Sequence, residues 1–181
     1  MKALLIIDMQ KGSFIETTPR YDSVGVISRI NKLAETFRSM NMPVIYIQHD
    51  GSRHGEFLPN TYEWEILDEL IVKKSDLRID KYVNDCFYQS KLKANLDNLG
   101  VEELYITGCA TDFCVESTVQ SALAKDYQIT VVSDGHTTGD RPHLAGEKVI
   151  EHYNWVWTGM IPTKGKIHVQ CAQDVLREIA K

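Results

Sequence analysis

Leu104-Tyr105-Ile106-Thr107-Gly108-Cys109-Ala110-Thr111-Asp112-Phe113-Cys114-Val115 is the stretch that decides the fold of this chain. The apolar run Leu104–Thr107 predicts a strand. Gly108 to Ala110 predicts a tight turn, and Thr111 to Lys125 a helix with Val115, Val119, Ala122 and Leu123 inward. Cys114 then lies in the first helical turn, facing free N–H groups and the positive end of the helix dipole, which favour thiolate. Only the thiolate is a strong nucleophile, so the pattern points to covalent catalysis. The alternative for a single cysteine is burial as an inert apolar group.

Working outward, strand-like runs alternate with helix-period segments. Strands are predicted over Lys2–Ile7, Val44–Gln48, Leu77–Val83, Leu104–Thr107, Ile129–Ser133 and Ile167–Val169. Helices are predicted over Asp22–Met40, where Val26, Ile30, Leu33, Phe37 and Met40 recur at helical spacing, and over Ser90–Leu99, with Ser90 as N-cap and Gly100 just past its end. Further helices fall at His143–His152 and Ala172–Ala180, and a short one around Trp64–Leu70 within the loop-rich stretch Gly51–Ser75. Alternation of this kind predicts an α/β fold: three α/β/α layers around a six-stranded, mostly parallel sheet. No repeat or linker interrupts the 181 residues, so one domain over 1–181 is expected.

Composition bounds the function. The chain is 43% hydrophobic and 25% charged with a net charge of −5, and it lacks the clustered basic face of a nucleic-acid binder. The early apolar run Ala3–Ile7 is too short for a signal-peptide core or a membrane span, so no membrane contact is expected and the cytoplasm is the expected compartment. Cys86, Cys109, Cys114 and Cys171 have neither CxxC spacing nor a paired-histidine motif, which argues against a zinc site or a disulfide framework.

In parallel sheets the working residues gather at the carboxyl ends of strands, near the switch in strand order. Asp8 ends the first strand, Lys81 lies on the third and Cys114 follows the fourth. Together they make coherent chemistry. Asp8 accepts the thiol proton and returns it to the leaving group, Lys81 favours the thiolate, and backbone N–H groups of the turn hold the developing oxyanion. Taken singly, Asp8 reads equally as a turn cap and Lys81 as a solvated edge charge.

These motifs resemble the isochorismatase-like cysteine hydrolases, a superfamily that includes nicotinamidases and carbamoylsarcosine amidohydrolases. The resemblance rests on Leu5-Ile6-Ile7-Asp8-Met9-Gln10, Lys81-Tyr82-Val83-Asn84-Asp85-Cys86-Phe87 and Gly108–Val115, and continues through Val131–His136 and His152-Tyr153-Asn154-Trp155. It implies a triad of Asp8, Lys81 and Cys114, a cis peptide at Cys109-Ala110, and an oxyanion site made by the backbone N–H groups of Ala110 and Cys114. It also implies a homo-oligomer, a dimer or larger. The nicotinamidases hold a metal through an Asp-x-His pair. Here His49 and Gly51 fall at those positions, so no metal and no cofactor are expected, although His49, Asp50 and His54 form an alternative weak divalent set. His49 and Gln48 are expected to line the pocket as hydrogen-bonding groups.

The remaining pocket candidates are Phe14, Trp64 and Phe87, with Tyr88, as aromatic walls, and His136 at the end of the fifth strand. Each reads equally as ordinary packing, and His136 as a structural hydrogen-bonder. Asp112 is expected to cap the helix. Tyr153, Trp155 and Trp157 form a late aromatic group that suits core or interface. The function expected is cysteine-dependent hydrolysis of a C–N bond in a small amide, ureido or carbamoyl substrate through a thioester. Vinyl ether cleavage, a redox-active thiol and a catalytically silent interaction protein are the alternatives.

Overall fold

The computed structural model describes residues 1–179. Six strands, β1 (Lys2–Ile7), β2 (Val44–His49), β3 (Leu77–Lys81), β4 (Glu103–Cys109), β5 (Gln128–Thr137) and β6 (Ile167–Gln170), form one all-parallel sheet in the order β3-β2-β1-β4-β5-β6. Five α-helices join them: α1 (Ser23–Ser39), α2 (Leu92–Asn98), α3 (Glu116–Leu123), α4 (Gly146–Thr158) and α5 (Ala172–Ile179).

Both faces of the sheet are covered, which is why β1 is apolar at every position from Ala3 to Ile7 rather than at alternate ones. Leu4 and Ile6 of β1 pack with Val26, Ile30, Leu33 and Phe37 of α1 and with Val175 of α5. Ala3, Leu5 and Ile7 point the other way, into a core with Leu92 and Leu96 of α2, Val119 and Ala122 of α3 and Trp157 of α4. The expected three layers are therefore present, with α1 and α5 on one face and α2, α3 and α4 on the other.

Strand order reverses about β1, which is flanked by β2 on one side and β4 on the other. This is the switch point at which parallel sheets open a crevice beyond their carboxyl ends. Gly108 shapes that crevice. It pairs with Ile7 of β1 and takes φ of 120°, and a Cβ there would lie 2.1 Å from the Ile7 carbonyl oxygen. Only glycine permits so close an approach with that backbone.

Several element boundaries differ from expectation. Residues 64–70 form turns, not a helix, because the segment spends its backbone groups on the chain after β1. Lys11 N–H donates to Glu65 O at 2.8 Å, Leu67 N–H donates to Met9 O at 3.0 Å, and Gln10 bridges to Ile66. β5 extends to Thr137, past a shift in its pairing with β4 between Ile106 and Gly108. α4 starts later than expected and runs on to Thr158, since Val149, Tyr153 and Trp157 continue one apolar stripe at four-residue spacing. Ser90 lies two residues before α2, where its Oγ accepts the Leu92 N–H at 3.1 Å. The expected end of the last helix, Ala180, lies outside the described residues.

Thr111–Val115 is not regular α-helix but a wide π-helical turn, closed by the Val115 N–H on the Ala110 carbonyl at 3.1 Å, and α3 begins only at Glu116. Wide turns of this kind recur at functional sites. No helix among the described residues is long and apolar enough to cross a membrane.

Gly108→Ala is expected to lower the unfolding free energy by at least about 2 kcal/mol, through left-handed strain and the clash with Ile7. Urea denaturation checks this, and an unchanged midpoint would contradict it.

Candidate active site

Three strand ends deliver three side chains to one point. Asp8 follows β1 with φ of 48°, in the left-handed region that Asp tolerates better than most residues, and its N–H donates to Ile47 O at 3.0 Å. Lys81 ends β3 and pairs in register with His49 of β2. Cys114 comes from the π-helical turn after β4.

The Lys81 side chain is fully buried, and each of its three protons has an acceptor. Nζ lies 2.7 Å from Asp8 Oδ2, 3.0 Å from the Val83 carbonyl and 3.3 Å from Cys114 Sγ. The other Asp8 oxygen, Oδ1, is buried with no hydrogen-bond partner. The sulfur also faces Asn84 Oδ1 at 3.8 Å.

Electrostatics decides the resting protonation state. Burial opposes charge on Lys81, but Asp8 and then Cys114 outweigh it and hold the ammonium above its ordinary range. Cys114 goes the other way: burial first, and then the charge of Asp8, raise its thiol well above the ordinary value despite Lys81. The helix-end thiolate expected from sequence is therefore replaced, at rest, by a protonated thiol beside a carboxylate with a free oxygen. Such a set can pass a proton from sulfur to Asp8 when a carbonyl arrives and then return it to a leaving group.

The cavity above the sulfur has a volume of about 210 Å³ and is lined by Asp8, Ser13, Arg20, His49, Phe57, Asn84, Cys109, Ala110, Phe113 and Cys114. The Cys109–Ala110 peptide is cis. Of the pocket residues expected from sequence, His49 is on this wall. Its ring packs edge-on to Phe57 at 5.9 Å and its buried Nδ1 has no partner. Burial, and then Lys81, lower its pKa, so the imidazole stands neutral.

The others lie elsewhere for identifiable reasons. Phe14 packs against the α1-side core. Gln48 is buried and donates to the Trp64 carbonyl at 3.0 Å, a carbonyl that also accepts from Gln10 at 2.9 Å. These two glutamines tie the loop of Trp64 to the sheet, and the ring of Trp64 lies outside the cavity wall. Phe87 is core, stacked on Tyr127 at 5.8 Å. His136 is buried, with Nδ1 2.9 Å from Thr111 Oγ1 and Nε2 3.1 Å from Asn154 Oδ1. Burial pushes its pKa down to about 4, which leaves a neutral ring joining the π-helical turn to α4. Asp112 is not a helix cap. It forms a two-pronged pair with Arg141, both contacts 2.7 Å, and accepts from Thr138.

The residues at the family's metal positions do not fit an ion. A side chain at Gly51 would meet the Glu56 carbonyl at 2.3 Å, so no histidine fits there, and Asp50 Oδ1 accepts from the Ser52 N–H at 2.9 Å. Among the described residues no three His, Cys, Asp or Glu side chains converge as a ligand set.

The isochorismatase domain model matches residues 2–158. The chain belongs to the isochorismatase family. An isochorismatase family protein of Bacillus subtilis, YddQ, is 31% identical over 75% of this chain and 77% of its own length. Ureidoacrylate amidohydrolase RutB of Caulobacter vibrioides is 29% identical over 76% of this chain and 77% of its own. A crystal structure of an isochorismatase family protein superposes with a TM-score of 0.86 at 28% identity, covering 93% of this chain and 96% of that one. Family membership, with amidohydrolases among the relatives, makes this chain a hydrolase.

Arg20, Phe57, Asn84 and Phe113 also stand on the cavity wall. Arg20 and Phe57 sit in loops with no local pattern, whereas Phe113 and Asn84 lie within the motifs of Cys114 and Lys81, and that proximity is the signal that could have found them.

The raised Cys114 thiol predicts that alkylation by iodoacetamide, followed on the Cys114 peptide by mass spectrometry, has its pH midpoint above that of a free thiol, ~8.5. Asp8→Asn removes the opposing carboxylate, leaves Lys81 unopposed and should bring the midpoint down. A wild-type midpoint at or below the free thiol, or no fall in the variant, would contradict the assignment. By linkage, this thiol's contribution to stability is present below the unfolded-state pKa and is lost as pH rises through the folded one.

Proposed function

We propose that the protein is a cysteine-dependent hydrolase that cleaves the C–N bond of a small amide, ureido or carbamoyl substrate through a thioester. One observation carries the reading: the Lys81 ammonium touches both Asp8 Oδ2 and Cys114 Sγ, at 2.7 and 3.3 Å, at the foot of a small cavity. The relative named ureidoacrylate amidohydrolase supports the bond type. The cavity volume of about 210 Å³ supports a small substrate.

The steps follow from the site. The substrate carbonyl enters beside the sulfur, and Asp8 Oδ1, which has no other partner, takes the thiol proton. Lys81 stabilises the thiolate as the proton leaves. Sulfur attacks the carbonyl carbon, and the new oxyanion is held by the backbone N–H groups of Ala110 and Cys114, since a first helical turn leaves such donors without intrahelical partners. The C–N bond breaks as Asp8 gives its proton to the departing nitrogen. Water then attacks the thioester and gives a proton to Asp8. The C–S bond breaks, and the sulfur recovers the proton.

In this scheme Asp8 must cycle between two protonation states while Lys81 stays charged. A lysine held above its ordinary range suits that fixed role. A thiol held protonated until substrate arrives is also shielded from adventitious oxidation, which acts on thiolate.

A panel of small primary amides, ureides and carbamoyl compounds, assayed for ammonia, tests the reading. Wild type should release ammonia from at least one class. Cys114→Ala should lose about 10⁴-fold or more in kcat while keeping the wild-type circular dichroism spectrum. Turnover by the alanine variant, or ammonia from no compound, would overturn it.

A further inference from the structure

The charges around the cavity do not balance. Asp8 and Lys81 neutralise one another beneath the sulfur, and His49 stands neutral. Arg20 remains. It shares the cavity wall with Asp8, which is paired with Lys81, and among the described residues no carboxylate comes within salt-bridge distance of its guanidinium. Asp112, the acidic residue of the neighbouring turn, is already held two-pronged by Arg141. Arg141 in turn packs over the Phe113 ring at 5.1 Å, so Asp112 has no free edge for Arg20.

Arg20 is also held in place. Its Nε donates to the Ser13 carbonyl at 2.7 Å, which fixes the plane of the guanidinium and leaves the terminal amino groups for another acceptor. The site of Gly139 supports the same position, since a Cβ there would come within 3.4 Å of Arg20 Nη1. A guanidinium stays protonated at every working pH and presents a planar fork that matches a carboxylate. A half-buried fork, pre-positioned and without an acidic partner, on the wall of a cavity of about 210 Å³, is a recognition element.

We propose that the substrate is an acid: it carries a carboxylate that the free edge of Arg20 binds while its amide, ureido or carbamoyl carbonyl meets Cys114. This rests on the cysteine hydrolase reading and adds the substrate class to it. The aromatic rings of Phe57 and Phe113 on the same wall fit the short stem between the two ends. A neutral analogue leaves the guanidinium facing an uncharged group in a small cavity and loses a charge-assisted hydrogen bond. Arg20 acts on affinity rather than on bond making, so its effect belongs in KM more than in kcat.

Matched pairs test this: N-carbamoyl amino acids against their neutral methyl esters, and dicarboxylic monoamides against the corresponding esters. In wild type kcat/KM should favour the acid by about 10- to 100-fold, the worth of a charge-assisted hydrogen bond. In Arg20→Gln the acid-to-ester ratio should fall to near one, mainly through KM, and Arg20→Lys should restore part of it. Calorimetric binding of the same pairs to Cys114→Ala reads Arg20 without any turnover, so failure of this proposal separates from failure of the hydrolase reading. Acid-selective binding that Arg20→Gln abolishes supports the proposal even if ammonia is never released. Equal affinity for acid and ester, selectivity that survives in Arg20→Gln, or binding of neither at millimolar concentration overturns it.

Discussion

The ion pair between Lys81 and Asp8 organises everything around it. Both groups are out of water, and a buried pair of this kind contributes little net stability, because desolvation consumes what attraction returns. Its geometry is nevertheless demanding. The lysine starts from β3 and the aspartate follows β1, with β2 between them, so the ammonium must reach over His49 to close the pair. Strand order, the left-handed bend at Asp8 and the close approach of Gly108 to Ile7 all serve that closure. Apolar residues of similar volume would hold the sheet as well, which leaves chemistry, rather than stability, as the reason for charge at this depth.

Much of this was legible in the sequence because the relevant physics is local. Ile6-Ile7-Asp8 and the run Leu104–Cys114 each contain a strand, its end and the residue presented there, so the parallel sheet and the grouping of Asp8, Lys81 and Cys114 follow from short windows. Helix α1 was equally plain: Val26, Ile30, Leu33 and Phe37 point inward as their spacing predicts, while Met40, the fifth, lies exposed just past its end. What failed was where non-local pairing overrides local pattern. Residues 64–70 have the composition of a helix but give their backbone to the chain after β1. Phe87 looked like a wall by sitting near Lys81, and instead fills space against Tyr127. The resting state of Cys114 depends on how deeply the sulfur sits and how near Asp8 lies, and neither distance is written in a motif.

The cavity wall draws on residues remote from one another in the chain: Ser13 and Arg20 before α1, His49 at the end of β2 and Phe57 beyond it, Asn84 after β3, and Phe113 beside the sulfur. Asp8 and Lys81 sit at strand ends and Cys114 in the turn after β4, all three placed by the sheet. Apart from His49, these wall groups sit on connecting segments that the sheet does not constrain. A fold arranged in this way keeps its chemistry while its selectivity is remade loop by loop.

The π-helical turn at Thr111–Val115 has a further consequence. Each residue of an α-helix rotates the chain by about 100°, so a turn that is one residue wider resets the angular phase of whatever precedes it. Val115, Val119 and Ala122 anchor the helix in the core, while Cys114 sits within the reset stretch. Deleting one residue between 111 and 114 would leave Cys114 in phase with Val115 and the seated helix, and would instead turn Ala110 and the end of β4 by about 100° relative to the sulfur. The register between the sulfur and the strand end before it is thus set by the one extra residue of the turn, while the helix is seated by its own apolar side chains.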